Sequence, residues 1–326
     1  MIMSRVDAGT VQAALALAAR APSVHNTQPW RWRIGPDSIG LRADLRRWLP
    51  LTDPDGRDLV LSCGAALHHL QVGLAALGVP AVVERMPDPD EPDLLATVRL
   101  GSPRCAGTPD TAEVAALQAR RTDRRRFGDW PVPDQHLDAL AATAAAHGAL
   151  LRTVPEGAAR AALLHALAAA AASHAATTGY DTELALWSGL VAGEDGVPAR
   201  NVPADALPHT ATRRFAGIGL AEGGAPEDGA TLLVLGTSSD DRLSQLRAGE
   251  ALGAVLLRAT ELGLASCPLS EPLELDRTRG LVRDEVLDGT LSPQIVLRVG
   301  WAPVGDPLPA TPRRRTADQV DGPDAP

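Results

Sequence analysis

The chain has 326 residues, of which 45% are hydrophobic and 22% are charged. This composition is typical of a folded globular protein, and the length allows one large domain or two of ordinary size. The formal net charge of −9 argues against a general nucleic-acid-binding surface and against an anionic membrane as partner. A local basic cluster could still bind a phosphate group.

Every one of the 31 cationic residues is arginine, because the chain contains no lysine. Schiff-base chemistry on lysine, including ordinary pyridoxal-phosphate catalysis, is therefore excluded, as is a P-loop lysine. Any bound phosphate must be held by arginine side chains, hydroxyls or backbone N–H groups. Arginine suits that task because its planar fork binds two phosphate oxygens at once.

Cysteine and histidine usage predicts a reducing compartment and no metal site. Cys63, Cys105 and Cys267 are odd in number and form no CxxC pair, and the eight histidines show no HExxH spacing. No stretch is predicted to span a membrane, and the N-terminal apolar run 11–19 is interrupted by Gln12, which disfavours a signal peptide. The expected location is the cytoplasm.

Hydrophobic periodicity in the first hundred residues alternates between helices and strands. The predicted elements are, in order, a helix with an apolar stripe at Val11, Leu15 and Ala18, a hairpin of strands 29–34 and 39–42, a long amphipathic helix at 56–77, and strands 81–85 and 94–100.

After 103–109 the pattern restarts with helices 112–119, 134–147 and 156–173. The range 190–229 is rich in Gly, Pro and Ala and has little periodicity, which is typical of a lid, a binding loop or disorder. The next predicted elements are strand 231–236, helix 243–262, strand 265–269, a helix near 275–287 and strand 294–300. The polar tail from Ala317 is predicted to be frayed.

The two long helices repeat one pattern at a constant offset along the chain. Gly64, Leu67, Leu70, Leu74 and Gly78 match Gly249, Leu252, Val255, Ala259 and Gly263 in spacing. An apolar stripe capped by glycine is common, so coincidence is one explanation. The other is a chain of two related halves that imitates a symmetric homodimer within one polypeptide.

Two polar segments are candidates for binding. The loop 21–30 places Ser, His, Asn, Thr and Gln between two prolines, which restrict the backbone and so fix the approach of the polar groups. It is either a plain polar loop or a rigid set of donors and acceptors for the edge of a heteroaromatic ring. In the basic run 120–126, an extended backbone would point Arg120, Thr122 and Arg124 to one side, as a monophosphate site requires. The alternative is a solvated basic run.

These segments resemble one known family. The loop 21–30 is similar to the APSxxNxQPW motif of the nitroreductase-like FMN proteins, and Arg120-Arg121-Thr122 resembles their RRS-type phosphate motif with threonine for serine. Further similar segments are 63–70, 247–252, 267–270 and 298–301, so the likeness covers nearly the whole chain. Together they resemble the Acg-type branch of the NAD(P)H nitroreductases.

The resemblance implies an α+β, nitroreductase-like fold with two related α/β halves, residues 1–105 and 106–326, and a lid-like insertion at about 190–229. In family dimers the flavin lies across the interface between subunits. Here the polar loop is in the first half, whereas the basic run 120–126 and a second basic segment near the C-terminus, 311–315, are in the second half. One complete FMN site per chain is therefore implied, and a monomer would suffice to form it.

The resemblance also assigns roles to individual residues. The phosphate of FMN would be held by Arg120, Thr122, Arg124, Arg313 and Arg315. The isoalloxazine ring would be lined by Ser23, His25, Asn26 and Gln28. The strand end that runs beside the flavin N5 would consist of Pro268, Leu269 and Ser270. Family members often have Glu-Gly at the point where this chain has Ser270-Glu271.

The favoured function is an FMN-dependent oxidoreductase that uses NAD(P)H to reduce a small-molecule acceptor of nitroaromatic or quinone type. The flavin carries the chemistry, so no catalytic side chain is assigned. The alternative is an FMN-binding or sequestering stress protein with little turnover, in which a closed insertion excludes nicotinamide. An alanine-rich structural protein without a ligand is the third interpretation.

Overall fold

The N-terminal part of the chain contains two α-helices and the four strands of the first sheet. The computed structural model describes residues 6–102, 111–189, 193–203, 213, 215, 217, 219–220 and 227–321, so Cys105 and parts of the insertion lie outside the described residues. The first elements are α1 (Ala8–Ala18), β1 (Trp30–Ile34), β2 (Ser38–Ala43), α2 (Arg57–Ala76), β3 (Ala81–Arg85) and β4 (Leu94–Leu100). Asp7 caps α1 by accepting a hydrogen bond of 2.9 Å from the backbone N–H of Thr10.

The second sheet follows a series of helices. Its region contains α3 (Thr111–Ala119), α4 (Asp134–Ala146), β5 (Leu150–Thr153), α5 (Ala158–Ala175), α6 (Tyr180–Leu186), β6 (Thr231–Thr237), α7 (Arg242–Glu261), β7 (Ala265–Leu269), α8 (Asp276–Glu285) and β8 (Ser292–Gly300). The sequence did not predict β5 and α6. Both are short, and β5 has three exposed residues of four, so neither shows a readable apolar period.

The two sheets share one topology. Each has four antiparallel strands, in the order β1-β2-β4-β3 and β5-β6-β8-β7. In each sheet, a 20-residue helix connects the strands that come second and third along the chain. This helix is α2, between β2 and β3, in the first sheet, and α7, between β6 and β7, in the second. The architecture is therefore α+β with two similarly connected sheet-and-helix layers, as the sequence predicted.

The helices α2 and α7 pack against each other through matching glycines. A Cβ atom at Gly64 would lie 2.1 Å from the carbonyl oxygen of Leu246, and one at Gly249 would lie 2.1 Å from that of Leu61. Only the absence of a side chain allows the two backbones to come this close. The sequence repeat thus places the same residue type on both sides of the helix crossing.

Replacing Gly249 by alanine is expected to lower the free energy of unfolding by about 2 kcal/mol, because the new methyl group forces the two helices apart. Gly280 in α8 is the matched control, since a Cβ there meets no atom within 4 Å. Its replacement by alanine should stabilise the protein by roughly 0.5–1 kcal/mol through helix propensity. Urea unfolding measures the free energy of unfolding of both variants. Equal changes in this free energy for the two would contradict the close packing of α2 and α7.

The C-terminal segment is docked on the first sheet, so the prediction of a frayed tail from Ala317 is wrong for the residues up to 321. Gln319 is fully buried and its Oε1 accepts a hydrogen bond of 2.7 Å from the Trp30 indole. Val320 forms a β-bridge with Trp32. The buried indole needs an acceptor, and the tail supplies it, which composition alone does not reveal.

Among the described residues one helix, α2, is long and apolar enough to cross a membrane by length and composition, with a mean hydropathy of 1.4. Within that window 83% of the residues are buried inside the protein. The first sheet, α1 and α7 pack around α2, so its apolar character is that of a core helix.

Candidate functional site

Two adjoining cavities lie between the first and second sheet regions. Their volumes are about 780 Å³ and about 370 Å³, and Pro22, Ser23, Thr122 and Arg124 line both. The larger cavity also contacts α2, the end of β7 and two residues of the insertion, Arg213 and Phe215. The smaller one is lined by arginine side chains and by the segments around 196–201 and 311–313.

The polar loop that borders both cavities has an unusual backbone. His25, Asn26 and Gln28 have φ angles of 44°, 56° and 51°, in the left-handed region that residues with a side chain seldom adopt. Such conformations cost on the order of 1–3 kcal/mol each and persist only where surrounding contacts impose them. Hydrogen bonds from Gln28 N to Ser23 Oγ (2.9 Å) and from Val24 N to Ser62 Oγ (3.1 Å) help to hold the loop.

The amide side chains of this loop bind other chain segments. Asn26 Nδ2 donates to the carbonyl oxygens of Gly196 (3.0 Å) and Pro312 (3.1 Å), and Asn26 Oδ1 accepts from Arg313 Nη1 at 2.6 Å. Gln28 Oε1 accepts from the backbone N–H of Arg314 at 2.9 Å. Ser23 and His25 line the larger cavity and Asn26 the smaller, whereas Gln28 lines neither.

The smaller cavity gathers buried guanidinium groups. Arg120 is 3% exposed, and its Nε and Nη1 atoms have no hydrogen-bond partner among the described residues. Burial and the neighbouring charges of Arg121 and Arg20 lower the pKa of Arg120 to about 10. Burial and the charges of Arg120, Arg20 and Arg121 also lower the pKa of Arg313 well below its usual range.

No carboxylate compensates this charge within the described part of the chain. Arg313 donates to Asn26 and to the carbonyl oxygens of Pro312 and Arg20, and Arg20 donates to those of Leu117 and Gln118. Clustered, desolvated cations are unfavourable unless an anion joins them. The unpaired N–H groups and the excess positive charge are therefore suited to binding an anion.

The three residues that the sequence predicted on one side of the extended run 120–126 line the same cavity. Arg120, Thr122 and Arg124 all line the smaller cavity, and Thr122 forms a β-bridge with Ser266 that keeps the segment extended. Asp123 and Arg125 form a buried ion pair of 2.8 Å with each other instead. The extended backbone thus separates the cavity-lining cations from the paired ones.

The C-terminal basic segment 311–315 also contains both buried and exposed arginine side chains. Arg313 is buried beside Arg120, and Arg314 Nη1 donates to the carbonyl oxygen of Gln28 at 2.9 Å. Arg315 has a 75% exposed side chain that pairs with Asp318 at 2.9 Å, and it lines neither cavity.

The insertion reaches the larger cavity through Arg213 and Phe215. Arg213 Nη1 lies 2.7 Å from His25 Nε2, and the Phe215 ring meets the His25 ring edge-on at a centroid distance of 5.2 Å. The Arg124 guanidinium lies over the Phe215 ring, 4.9 Å from its centroid. Phe215 therefore contacts both the polar loop and the basic run.

A buried carboxylate anchors Arg213 in this position. Glu274 accepts hydrogen bonds from Arg213 Nη2 (2.6 Å) and Ser270 Oγ (2.7 Å), and His174 Nε2 lies 2.9 Å from it. Burial opposes ionisation of Glu274, but the charge of Arg213 and the close contacts with His174 and Arg213 dominate and lower the pKa of Glu274 to about 2. Ser270 thus faces the larger cavity together with Pro268 and Leu269 while it supports Glu274.

Several cavity residues were not predicted from the sequence: Asp58, Ser62, Arg213, Phe215 and Glu271. Arg213 and Phe215 belong to an aperiodic segment whose docking depends on long-range contacts. Asp58 occurs in the first turn of α2, where an acidic residue is ordinary helix chemistry. For Asp58, the only local sign of a role in the site was therefore a carboxylate in the first turn of α2.

Similar sequences identify the family. No protein-family model matches the chain. A Mycobacterium tuberculosis protein provisionally named an NAD(P)H nitroreductase is 48% identical over 323 residues, which are 98% of this chain and 93% of that protein. A second one, named acg, is 36% identical over 320 residues, covering 95% and 94% of the two chains. The chain belongs to the nitroreductase-like family, in its Acg-type branch.

A solved nitroreductase-like structure shares the fold. A protein from Anabaena variabilis provisionally described as a nitroreductase has a TM-score of 0.54 with 10% identity, and the match covers 92% of this chain and 90% of that one. The two chains therefore share the overall fold over most of their lengths. An FMN-dependent nitroreductase from Mycobacterium smegmatis, solved with NADPH, matches 59% of this chain and 87% of its own with a TM-score of 0.38.

Proposed function

We propose that this protein is an FMN-dependent oxidoreductase that uses NAD(P)H to reduce a small-molecule acceptor, of which nitroaromatic compounds and quinones are the expected classes. The observation that carries the proposal is the buried arginine cluster beside a large cavity. A monophosphate attached to a flat ring system requires both features in this arrangement. The names of two sequence relatives, both NAD(P)H nitroreductases, support the same reductant and reaction class.

The residues present fit the phosphate group. Arg120 and Arg313 supply buried cations, and Arg120 retains unpaired N–H groups. Thr122 and Arg124 complete a set of charged and hydroxyl donors, which matches the ligand preference of a phosphate dianion. The proposed phosphate site does not include Arg315, because its exposed side chain pairs with Asp318 at the surface.

The larger cavity is suited to the ring. Its lining includes polar and backbone groups from the loop and from the end of β7 (Ser23, His25, Pro268, Leu269 and Ser270), with Leu61, Leu252 and Ile295 as apolar surface. The bound flavin would supply hydride transfer to and from its ring. The residues of this chain would hold the ring, orient it and exclude water, so no catalytic side chain is proposed.

One site per chain follows from where its parts lie. The polar loop comes from the proposed first half, 1–105, and the arginines come from the proposed second half, 106–326. We infer that the two halves imitate the two subunits of a homodimeric relative, so a monomer would hold one complete site. A cytoplasmic location remains the expectation.

A second candidate function is storage of FMN with little turnover. The specific observation in its favour is that Arg213 and Phe215 of the insertion line the cavity themselves. A ring held there would be covered by Phe215, and nicotinamide would have to displace it.

An absorbance spectrum of the purified protein, followed by anaerobic addition of NADPH, tests both functions. We expect a flavin band that corresponds to one FMN per chain and bleaches promptly with NADPH. A band that persists with NADPH but bleaches with dithionite would support storage. A colourless protein that also fails to bind added FMN would overturn both functions.

A further inference from the structure

Asp58 is a cavity-lining acid that the proposed function does not yet use. It is the second residue of α2, it is 4% exposed, and it lines the larger cavity together with Ser62 and Glu271. Its backbone carbonyl accepts a hydrogen bond of 2.6 Å from Ser62 Oγ, which in turn accepts one from Val24 N. The start of α2 is thereby tied to the polar loop.

The side chain of Asp58 is not paired with a cation. Its Oδ2 atom is buried and has no hydrogen-bond partner among the described residues. The nearest cations are engaged elsewhere. Arg57 donates to Asp240 and Gln294, and Arg213 donates to Glu274.

The charges that act on Asp58 from neighbouring elements favour its neutral form. The carboxylates that act on it are Asp53, in the turn before α2, and Glu274, after β7. Burial and these carboxylates raise the pKa of Asp58 well above its usual range, and Arg57 and Arg213 compensate only in part. The other charged or titratable groups that face the cavity are His25, Arg124 and Glu271.

We propose that Asp58 is a neutral carboxylic acid that donates a hydrogen bond to a carbonyl or nitrogen acceptor of the ring system bound in the larger cavity. The assignment rests on the proposed function, because the ring is that of FMN. A neutral acid is the only form of this side chain that offers a donor. The same device of a carboxylic acid kept neutral by an apolar site serves as a hydrogen-bond donor in other enzymes.

The fold itself gains nothing from the unpaired acid. A buried polar atom without a partner costs on the order of 1–3 kcal/mol. Asp53, by contrast, accepts a hydrogen bond of 2.9 Å from Leu59 N and so caps α2. A ligand that satisfies Asp58 explains why a polar atom faces the cavity at this position.

Three variants separate the donor from the charge. Asp58→Asn keeps an N–H donor of nearly the same shape, whereas Asp58→Ala and Asp58→Leu remove the donor. We expect the Asn variant to bind FMN within about threefold of the unchanged protein. The Ala and Leu variants should bind about tenfold more weakly, as the loss of one hydrogen bond predicts. Thermal melting without FMN checks that each variant folds.

Infrared spectroscopy tests the protonation state independently of turnover. The protein would carry aspartate labelled with ¹³C at the side-chain carboxyl, so that its bands separate from the flavin carbonyl bands. At neutral pH we expect a protonated carboxyl band that Asp58→Asn lacks and that moves to lower frequency when FMN binds.

The outcomes distinguish this proposal from the proposed function. FMN binding that is unchanged in Asp58→Ala and Asp58→Leu would overturn the role of Asp58 and leave the FMN site intact. The role of Asp58 would also be overturned, with the FMN site left intact, by either of two infrared results. One is the absence of a protonated carboxyl band that Asp58→Asn lacks, and the other is such a band that FMN does not move. Failure of every form, including the unchanged protein, to bind FMN would overturn both.

Discussion

Replacing Arg313 by glutamine is expected to weaken FMN binding by roughly 100-fold. Arg313 is buried next to Arg120 in the smaller cavity, and a charge-assisted hydrogen bond to a phosphate is worth about 3 kcal/mol when it is desolvated. Fluorescence titration of the ligand-free protein with FMN measures the loss. Riboflavin, which lacks the phosphate, should bind the variant and the unchanged protein about equally.

Arg315→Gln is the matched control for this experiment. It removes the same charge from the same basic segment, but its side chain is 75% exposed and paired with Asp318. Exposed ion pairs of this kind contribute about 0–1 kcal/mol, so we expect at most a fewfold change in FMN affinity. Equal losses in the two variants would contradict the phosphate site placed at Arg120 and Arg313 and would favour long-range attraction by the whole basic segment.

Replacing Glu274 by glutamine is expected to lower the free energy of unfolding by about 3 kcal/mol. Among the described residues, the substitution leaves Arg213 buried with Glu271, at 3.7 Å, as its one carboxylate partner, and a buried charge that loses its partner is strongly destabilising. Glu156→Gln is the control, because Glu156 is 83% exposed and its pair with Arg160 lies at the surface. Urea unfolding at neutral pH measures both.

The pH dependence of the Glu274 effect has a defined sign. Its pKa in the folded protein is lowered to about 2 from an ordinary value of 4.5. A group with a lowered pKa stabilises the fold above its ordinary value, and this contribution is lost as the pH falls toward the folded value. The stability difference between the unchanged protein and Glu274→Gln should therefore shrink between pH 5 and pH 2. A difference that stays constant over this range would contradict the ion pair with Arg213.

The long elements were predictable because their signals are local. The helices α2 and α7 repeat an apolar stripe over 20 residues each, and the strands β3 and β4 were predicted at their observed bounds. Periodicity identifies such elements because one face of each must be buried. The recurrence of Gly64 and Gly249 was visible too, but only the structure shows that the two glycines meet at one helix crossing.

The candidate site was predictable only in part. The loop 21–30 and the run 120–126 carry chemistry in consecutive residues, so the sequence identified both, and the family resemblance connected them. The sequence treated Arg313 and Arg315 alike, whereas the structure buries the first and exposes the second. That distinction depends on how the tail docks through Gln319 and Val320.

By itself, then, the sequence determined the repeated helix pattern and the exclusion of lysine chemistry, because these properties are functions of residue type and of spacing along the chain. The α+β class and the family were predicted from the resemblance of its motifs to those of a known family. Tertiary structure decided which polar groups share a cavity, as with Arg120 and Arg313 or with Asp58 and Arg213. Burial, pairing and pKa depend on neighbours that lie more than a hundred residues away in the chain, and no local pattern records that proximity.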